Sequence, residues 1–283
     1  VFYGESYNIK MLLDAGVHYG HKRSLWNPQM AEYIYGVKNG THIIDLRQTV
    51  RLMDEALTAL RQAAAQNERI LFVSAKDQAS DAIASSALKC GQYYVNSRWL
   101  GGMMTNWSTV SASIKTLRRY ENILADKDST FTKKEKLMIQ RKFNKLNRVL
   151  GGIRNMGAIP DVIFVIGARE SVNAIREATK LKKEVISIVD TNCDPRGITH
   201  VIPGNDDSRK AIELYCELAS SAILMGMEDA MKKSGKAGKI DESTFVETEA
   251  TESRDADLPL KRRPVVVEKL NRKQRAGDRE NSA

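Results

Sequence analysis

The stretch from Ala15 to Met30, AGVHYGHKRSLWNPQM, gathers His18, His21, Lys22, Arg23 and Trp26 among small and turn-forming residues. Cations beside a stacking aromatic suit an RNA surface, where planar groups meet phosphates and unpaired bases. On that reading Lys22, Arg23 and Trp26 are contact residues. Imidazoles three residues apart would instead share one face of a helix and could ligate a metal. No third ligand lies nearby in the sequence, and Gly16 and Gly20 disfavour a helix. Structural hydrogen bonding is therefore the stronger alternative for the histidines, in irregular backbone. A second set, YYVNSRWLGGMMTNW from Tyr93 to Trp107, couples Arg98 and Trp99 to a Gly101-Gly102 turn. Arginine offers phosphate a planar fork, and tryptophan offers a face for stacking or packing. Arg98 is read as an RNA contact and Trp107 as a core anchor.

Asp190, Asp194, Asp206 and Asp207, with His200 between them, have the chemistry to hold a cation, and Asp190 and Asp206 are the metal candidates. Asp206 and Asp207 are equally explained as acids at the start of a helix, favoured there by its dipole. Catalysis has less behind it. There is no GxGxxG after a strand, no Walker A loop and no GxSxG elbow. The turn Ile166-Gly167-Ala168-Arg169-Glu170 puts a bulky arginine where a phosphate cradle needs small residues. No catalytic residue, metal or cofactor is expected.

The chain as a whole narrows the choice. Its 283 residues, 42% hydrophobic and 28% charged, are ordinary for a globular core with appendages. The longest clear apolar run, Val162 to Ala168, falls far short of the roughly 20 residues that span a bilayer. Glu5, Ser6 and Asn8 interrupt the first ten residues, so no secretory signal is expected there. Cys90, Cys193 and Cys216 are an odd number without a CxxC pair, which suits a reducing compartment. An intracellular protein with no membrane partner and no small-molecule substrate follows. The net charge of +9 is unevenly placed: residues 113–155 hold twelve Lys/Arg against four Asp/Glu. Residues 235–283 hold eleven against ten, and the remainder is balanced at twenty-one each. Such a block calls for a polyanion, the alternative being a merely well-solvated helical face.

Apolar runs at His42–Leu46, Ile70–Ser74, Tyr93–Asn96, Val162–Gly167 and Val185–Asp190 read as strands. Between most of them, residues such as Val50, Met53, Leu57 and Leu60, or Ile83, Ala87 and Cys90, recur at helical spacing. The alternation predicts an α/β fold with a parallel sheet covered by helices on both faces, in a core of residues 1–106 and 156–234. A last helix is expected from a cap at Asp206/Asp207/Ser208 to about Met231. The basic segment, 107–155, interrupts the alternation. Val110, Ile114, Leu117 and Leu124, then Ile139, Phe143, Leu146 and Leu150, form two narrow apolar stripes joined by a turn around Asp126–Thr132. They predict an antiparallel helical hairpin with a coiled-coil seam, its first helix roughly 27 Å long. Such an arm would carry Lys115, Arg118, Arg119, Lys133, Lys134, Arg141 and Lys145 to a distant partner. Residues 235–283 are too poor in apolar surface to offset ordering entropy and are expected to be a disordered charged tail.

These residues also resemble a known family. The strings GVHYGHKRSLWNPQM, YIYGVKNGTHIIDLRQTV, ILFVSAK, YYVNSRWLGGMMTNW, LGGIRNMGAIPDVIFVI and VDTNCDPRGITHVIPGNDDSRKAI closely resemble the bacterial and organellar family of small-subunit ribosomal protein two. They run in order from about residue 8 to residue 232, and the tail after Gly235 carries no motif of that family. The resemblance implies a flavodoxin-like sheet with an inserted helical hairpin. It also implies a place among small-subunit ribosomal proteins, contact with the small-subunit ribosomal RNA, and docking of the large mRNA-binding ribosomal protein one. It implies no catalysis. The location expected is the cytoplasmic ribosome, or an organellar matrix if the source is an organelle. Two other classes stay open on the residues alone: a nucleotide- or metal-dependent enzyme using the strand-end crevice, and a protein adaptor whose basic hairpin meets an acidic partner.

Overall fold

The structure, a computed structural model, describes residues 7–126 and 131–233. The tail expected over 235–283 and the centre of the expected hairpin turn lie outside them. The chain enters through a short helix, α1 (Ile9–Ala15), capped by the Asn8 side chain and closed by left-handed Gly16. A small antiparallel sheet follows, made of β1 (Tyr19–Lys22), β2 (Ile34–Lys38) and β3 (Thr41–Ile44) in the order β1-β3-β2. Asn39 and Gly40, with φ of 53° and 75°, form the two-residue turn between β2 and β3. Positive φ at both positions matches the twist of a tight hairpin.

Next come α2 (Leu46–Ala65), β4 (Ile70–Val73), α3 (Ser80–Lys89) and β5 (Tyr93–Val95). The helical pair α4 (Trp107–Ala125) and α5 (Lys133–Leu150) precedes β6 (Val162–Ile166), α6 (Val172–Lys180), β7 (Glu184–Val189), β8 (His200–Pro203) and α7 (Arg209–Lys233). The five later strands form one parallel sheet in the order β5-β4-β6-β7-β8, which is the flavodoxin-like order with its switch point between β4 and β6. Successive side chains go to opposite faces. Ile70, Phe72, Phe164, Ile166 and Ile188 pack with Leu57 and Leu60 of α2, Ile83 of α3, and Tyr215 and Ile223 of α7. Leu71, Val73, Ile163, Val165 and Val189 pack with Ala174 and Ile175 of α6 and with the base of the helical pair. Both faces are covered, so the strands read as unbroken apolar runs.

The expected fold class holds, with two corrections. The run at His42–Leu46 is not a strand of the parallel sheet; it supplies β3, because the Asn39-Gly40 turn folds it back on β2. The fifth parallel strand is β8, an edge strand that ends in Pro203, a residue the outer edge tolerates. Two lesser expectations also change. Tyr19–Lys22 is a strand rather than irregular backbone. Ser208, whose hydroxyl accepts from the Ala211 N–H, caps α7, while Asp206 and Asp207 turn away to Lys76.

Helices α2 and α7 approach so closely that a Cβ on Gly226 would lie 2.2 Å from the Arg61 carbonyl oxygen and 2.8 Å from the Ala64 Cβ. In an open helix Gly→Ala gains about 1 kcal/mol. Here Gly226→Ala is expected to lower stability instead, by about 1–3 kcal/mol of overpacking. The urea midpoint of the variant checks this; an unchanged or higher midpoint would contradict the tight crossing.

Candidate nucleic-acid interface

The helical pair is joined to the body at the start of α4 and the end of α5. Val110, Ile114 and Leu117 of α4 and Leu150 of α5 are buried, whereas Ile139, Phe143 and Leu146 are half-buried in the seam between the two helices. Thr132 and Glu135 form a capping box at the start of α5. The loop that launches α4 is held by a single acid. The Glu177 carboxylate on α6 accepts from Trp99 Nε1 at 3.1 Å, from the backbone N–H groups of Gly102, Met104 and Thr105 at 2.8, 2.9 and 3.1 Å, and from the Thr105 hydroxyl at 3.2 Å. Burial raises its pKa, but these donors outweigh burial and hold the carboxyl below its usual range.

Cations cluster on this frame. Lys115, Arg118, Arg119, Lys133, Lys134, Arg141 and Lys145 are all exposed, as are Lys22, Arg23, Trp26 and Arg98. Arg98 and Lys145, 47 positions apart in sequence, line one cleft of about 510 Å³ with Arg148, Asn144 and Ser97. The Ser97 hydroxyl donates to the Arg148 carbonyl and closes its floor. No acid lines this cleft among the described residues, so it presents three positive charges together. Two acids of the arm are engaged elsewhere: Glu135 in the capping box, and Glu121 with Arg154 at 2.6 Å. Arg118 is different from its neighbours. Its guanidinium donates to the Arg154 carbonyl at 2.9 Å and to Asn155 Oδ1 at 3.3 Å, so part of its capacity is structural. Arg148 was absent from the residues singled out in the sequence; its only signal was membership of the basic segment. Trp99 and Trp107 both pack on the core below the arm.

Lys22, Arg23 and Trp26 form a separate group on the small sheet. Trp26 lies against the His42 ring, centroids 5.2 Å apart. The histidines do not pair with one another: His18 lies against Tyr19, while His21 reaches Asp190 and Asp207 at 3.1 and 3.2 Å. Ligand atoms of His21, Asp190 and Asp207 lie within 4.8 Å of one another, a donor set able to hold a divalent cation. The expected partner Asp206 belongs to a different contact. Lys76 Nζ, just past β4, sits 2.6 Å from both Asp206 and Asp207, and places a positive charge beside that donor set. Burial, then the Asp190 charge, push the Asp206 carboxyl up to about 6 against the pull of Lys76. Asp194 pairs with Arg196 and His200 with Glu184, so neither joins the group.

The lysine also lies at the mouth of the parallel sheet. A flavodoxin-like sheet takes ligands beyond the strand ends at its switch point, here between β4 and β6. The Lys76 side chain runs over Gly167 at that place: a Cβ there would meet Lys76 Cε at 3.2 Å. The ammonium at that place is bonded to two aspartates.

Residues 12–226 match the sequence profile of a family described as Ribosomal protein S2. A protein of Wolbachia pipientis wMel, named small ribosomal subunit protein uS2, is 54% identical over 264 residues, covering 92% of each chain. One of the same name from Wolbachia pipientis subsp. Culex pipiens is 56% identical over 228 residues, covering 80% of this chain and 84% of that one. Another, from Rhodopseudomonas palustris strain HaA2, is 53% identical over 230 residues, covering 81% and 70%. The likeness to the first of these covers 92% of the chain and so extends past Gly235, whereas the family profile ends at residue 226.

The Glu177 clamp gives a direct expectation. Its carboxyl titrates lower in the folded chain than in the unfolded one. The stability it supplies is therefore complete above about pH 4.3, the unfolded value, and is lost as pH falls through the folded value. Glu177→Gln should lower stability by about 1–3 kcal/mol at pH 7, since charge-assisted bonds weaken and one acceptor is removed. Denaturant unfolding at pH 7 and again near pH 3 should show the gap between parent and variant closing in acid. An equal gap at both pH values would mean that the charge on Glu177 is not what holds the loop.

Proposed function

The chain belongs to the ribosomal protein S2 family, and on that premise we propose that it is a structural, non-catalytic constituent of the small ribosomal subunit that binds small-subunit RNA through its basic arm. The observation that carries this reading is the acid-free cleft of Arg98, Lys145 and Arg148 at the arm's base, continuous with the exposed cations of α4 and α5. In this account residues 1–106 and 156–234 act as a rigid body, and 107–155 are the inserted arm. Residues 235–283 are an appended charged tail. Lys and Arg displace counterions from phosphates, which supplies affinity, and the fixed angle of the arm supplies register. Other small-subunit proteins pack on the body, and the mRNA-binding ribosomal protein one docks with its help. The place of action is the ribosome, in the cytoplasm of a bacterium or the matrix of an organelle.

Salt dependence separates this from an acidic protein partner. In filter binding to small-subunit RNA, replacing Arg98, Arg119, Arg141 and Lys145 by Ala should flatten the log–log salt slope by roughly 0.7–0.9 for each phosphate no longer neutralised. Arg118→Ala alone should shift the slope less than Arg119→Ala, because Arg118 is partly held by Arg154 and Asn155. A quadruple variant with the parent slope would sink the proposal that the arm contacts RNA.

A further inference from the structure

A second, smaller hollow adjoins the cationic cleft at the base of the arm. Ser97, Arg148 and Val149 line both, so the two share a wall. The hollow has a volume of about 260 Å³ and lies where the chain leaves β4 and β5, beside the last turn of α5. Sites for drug-sized molecules take roughly 300–1,000 Å³, so this one suits a single flat ring system rather than a whole nucleoside triphosphate. Its walls are fixed. Asn96 Nδ2 donates to the Ser80 carbonyl at 3.2 Å and to Ser80 Oγ at 3.0 Å, which ties the end of β5 to the start of α3. On the other side, a Cβ on Gly152 would fall 2.2 Å from the Tyr94 carbonyl oxygen and 2.7 Å from its ring. A glycine is what lets the segment after α5 close against Tyr94.

Two polar side chains on these walls are uncommitted. Among the described residues the Asp77 carboxylate makes no hydrogen bond or ion pair, although Arg148 lines the same hollow, and the Asn147 amide makes none either. The neighbouring donors are spent: Asn96 Nδ2 on Ser80, and the Ser97 hydroxyl on the Arg148 carbonyl. An ionised carboxylate only accepts. Beside cations that gather phosphate, such an acid opposes a polyanion unless the ligand donates to it. Among the four RNA bases, guanine alone sets two donors, N1–H and N2–H, side by side on one edge. The O6 acceptor on that same edge calls for a donor, which the Asn147 amide has. Unpaired bases are read on this edge, drawn out of the stack into a pocket.

We infer that this hollow takes a single guanine extruded from RNA, with Asp77 accepting from its N1–H and N2–H and Asn147 donating to its O6, while Arg98, Lys145 and Arg148 hold the flanking phosphates. The inference rests on the RNA-binding reading above and deepens it by adding what charge alone lacks, a choice of base. Cations supply the affinity; the hollow supplies a preference for an unpaired guanosine.

The full chain would be titrated, by fluorescence anisotropy, with three labelled RNA hairpins that differ in one place: a bulged guanosine, a bulged uridine, or no bulge. The parent should bind the bulged guanosine about ten-fold more tightly than the bulged uridine. Asp77→Asn and, separately, Asn147→Ala should abolish that preference without weakening binding to the unbulged hairpin. Both residues are exposed, so the variants keep the folded body. Charge alone predicts otherwise: losing an acid beside phosphate would tighten all three RNAs alike, and that result for Asp77→Asn overturns the inference. A preference that survives in both variants overturns it too. Equal binding of the two bulged RNAs by the parent does the same, while leaving the arm's role intact. Failure to bind any of the three would remove the RNA-binding reading and this inference with it. If guanosine monophosphate binds alone and the hairpins are not told apart, the hollow is a mononucleotide site and the inference is wrong.

Discussion

The arrangement of this molecule depends on one carboxylate receiving five donors. Glu177 is carried on α6, which packs against the parallel sheet, and its partners lie in the loop from Trp99 to Thr105 that launches the helical arm. The backbone N–H groups of Gly102, Met104 and Thr105 in this loop all find their acceptor in Glu177, and a buried one left without a partner would cost about 1–3 kcal/mol. With them satisfied, the direction of α4 is set by the body rather than by the arm's own thin seam. A lever built this way can hold charge far from the core without a large buried area of its own.

A second constraint separates this sheet from ligand-binding relatives of the same topology. Lys76, almost buried, bridges Asp206 and Asp207 across the crevice where strand order reverses. The fold therefore keeps the layout of flavodoxin-like sheets and places an internal ion pair at its mouth. Buried pairs contribute little net stability, since desolvation offsets most of their attraction. What this one does is fix the segment between β8 and α7 against the end of β4, and through His21 the entry of the chain as well. Fold topology alone does not fix function; the family match, not the switch-point side chains, argues against an enzyme here.

Sequence made some of this legible and hid the rest for identifiable reasons. VIFVI and EVISIV were readable as strands because burial on both faces removes alternation, and the arm was readable because its two stripes keep strict three-four spacing. The hairpin of β2 and β3 carried a plain signal, Asn39-Gly40, that apolar periodicity passes over, so its second strand looked like the start of the parallel sheet. Strand β8 is four residues long and ends in proline, too short and too polar in context to stand out. At the site, each exposed cation was legible as excess charge in one segment. Joining Arg98 to Lys145 and Arg148 was not, because that contact spans some fifty residues of intervening arm. Glu177 left no mark at all: an acid among the polar residues of an amphipathic helix reads as solvated until the loop it holds is in place.

That this chain works as a fixed component of the small ribosomal subunit is open to direct test. It is tested most directly by sedimenting a lysate of the source cells through sucrose at low and at high magnesium and probing each fraction for the chain. Co-migration with free small subunits at low magnesium and with whole ribosomes at high magnesium is the expected result. A chain that stays in the soluble fractions at the top of both gradients would contradict it.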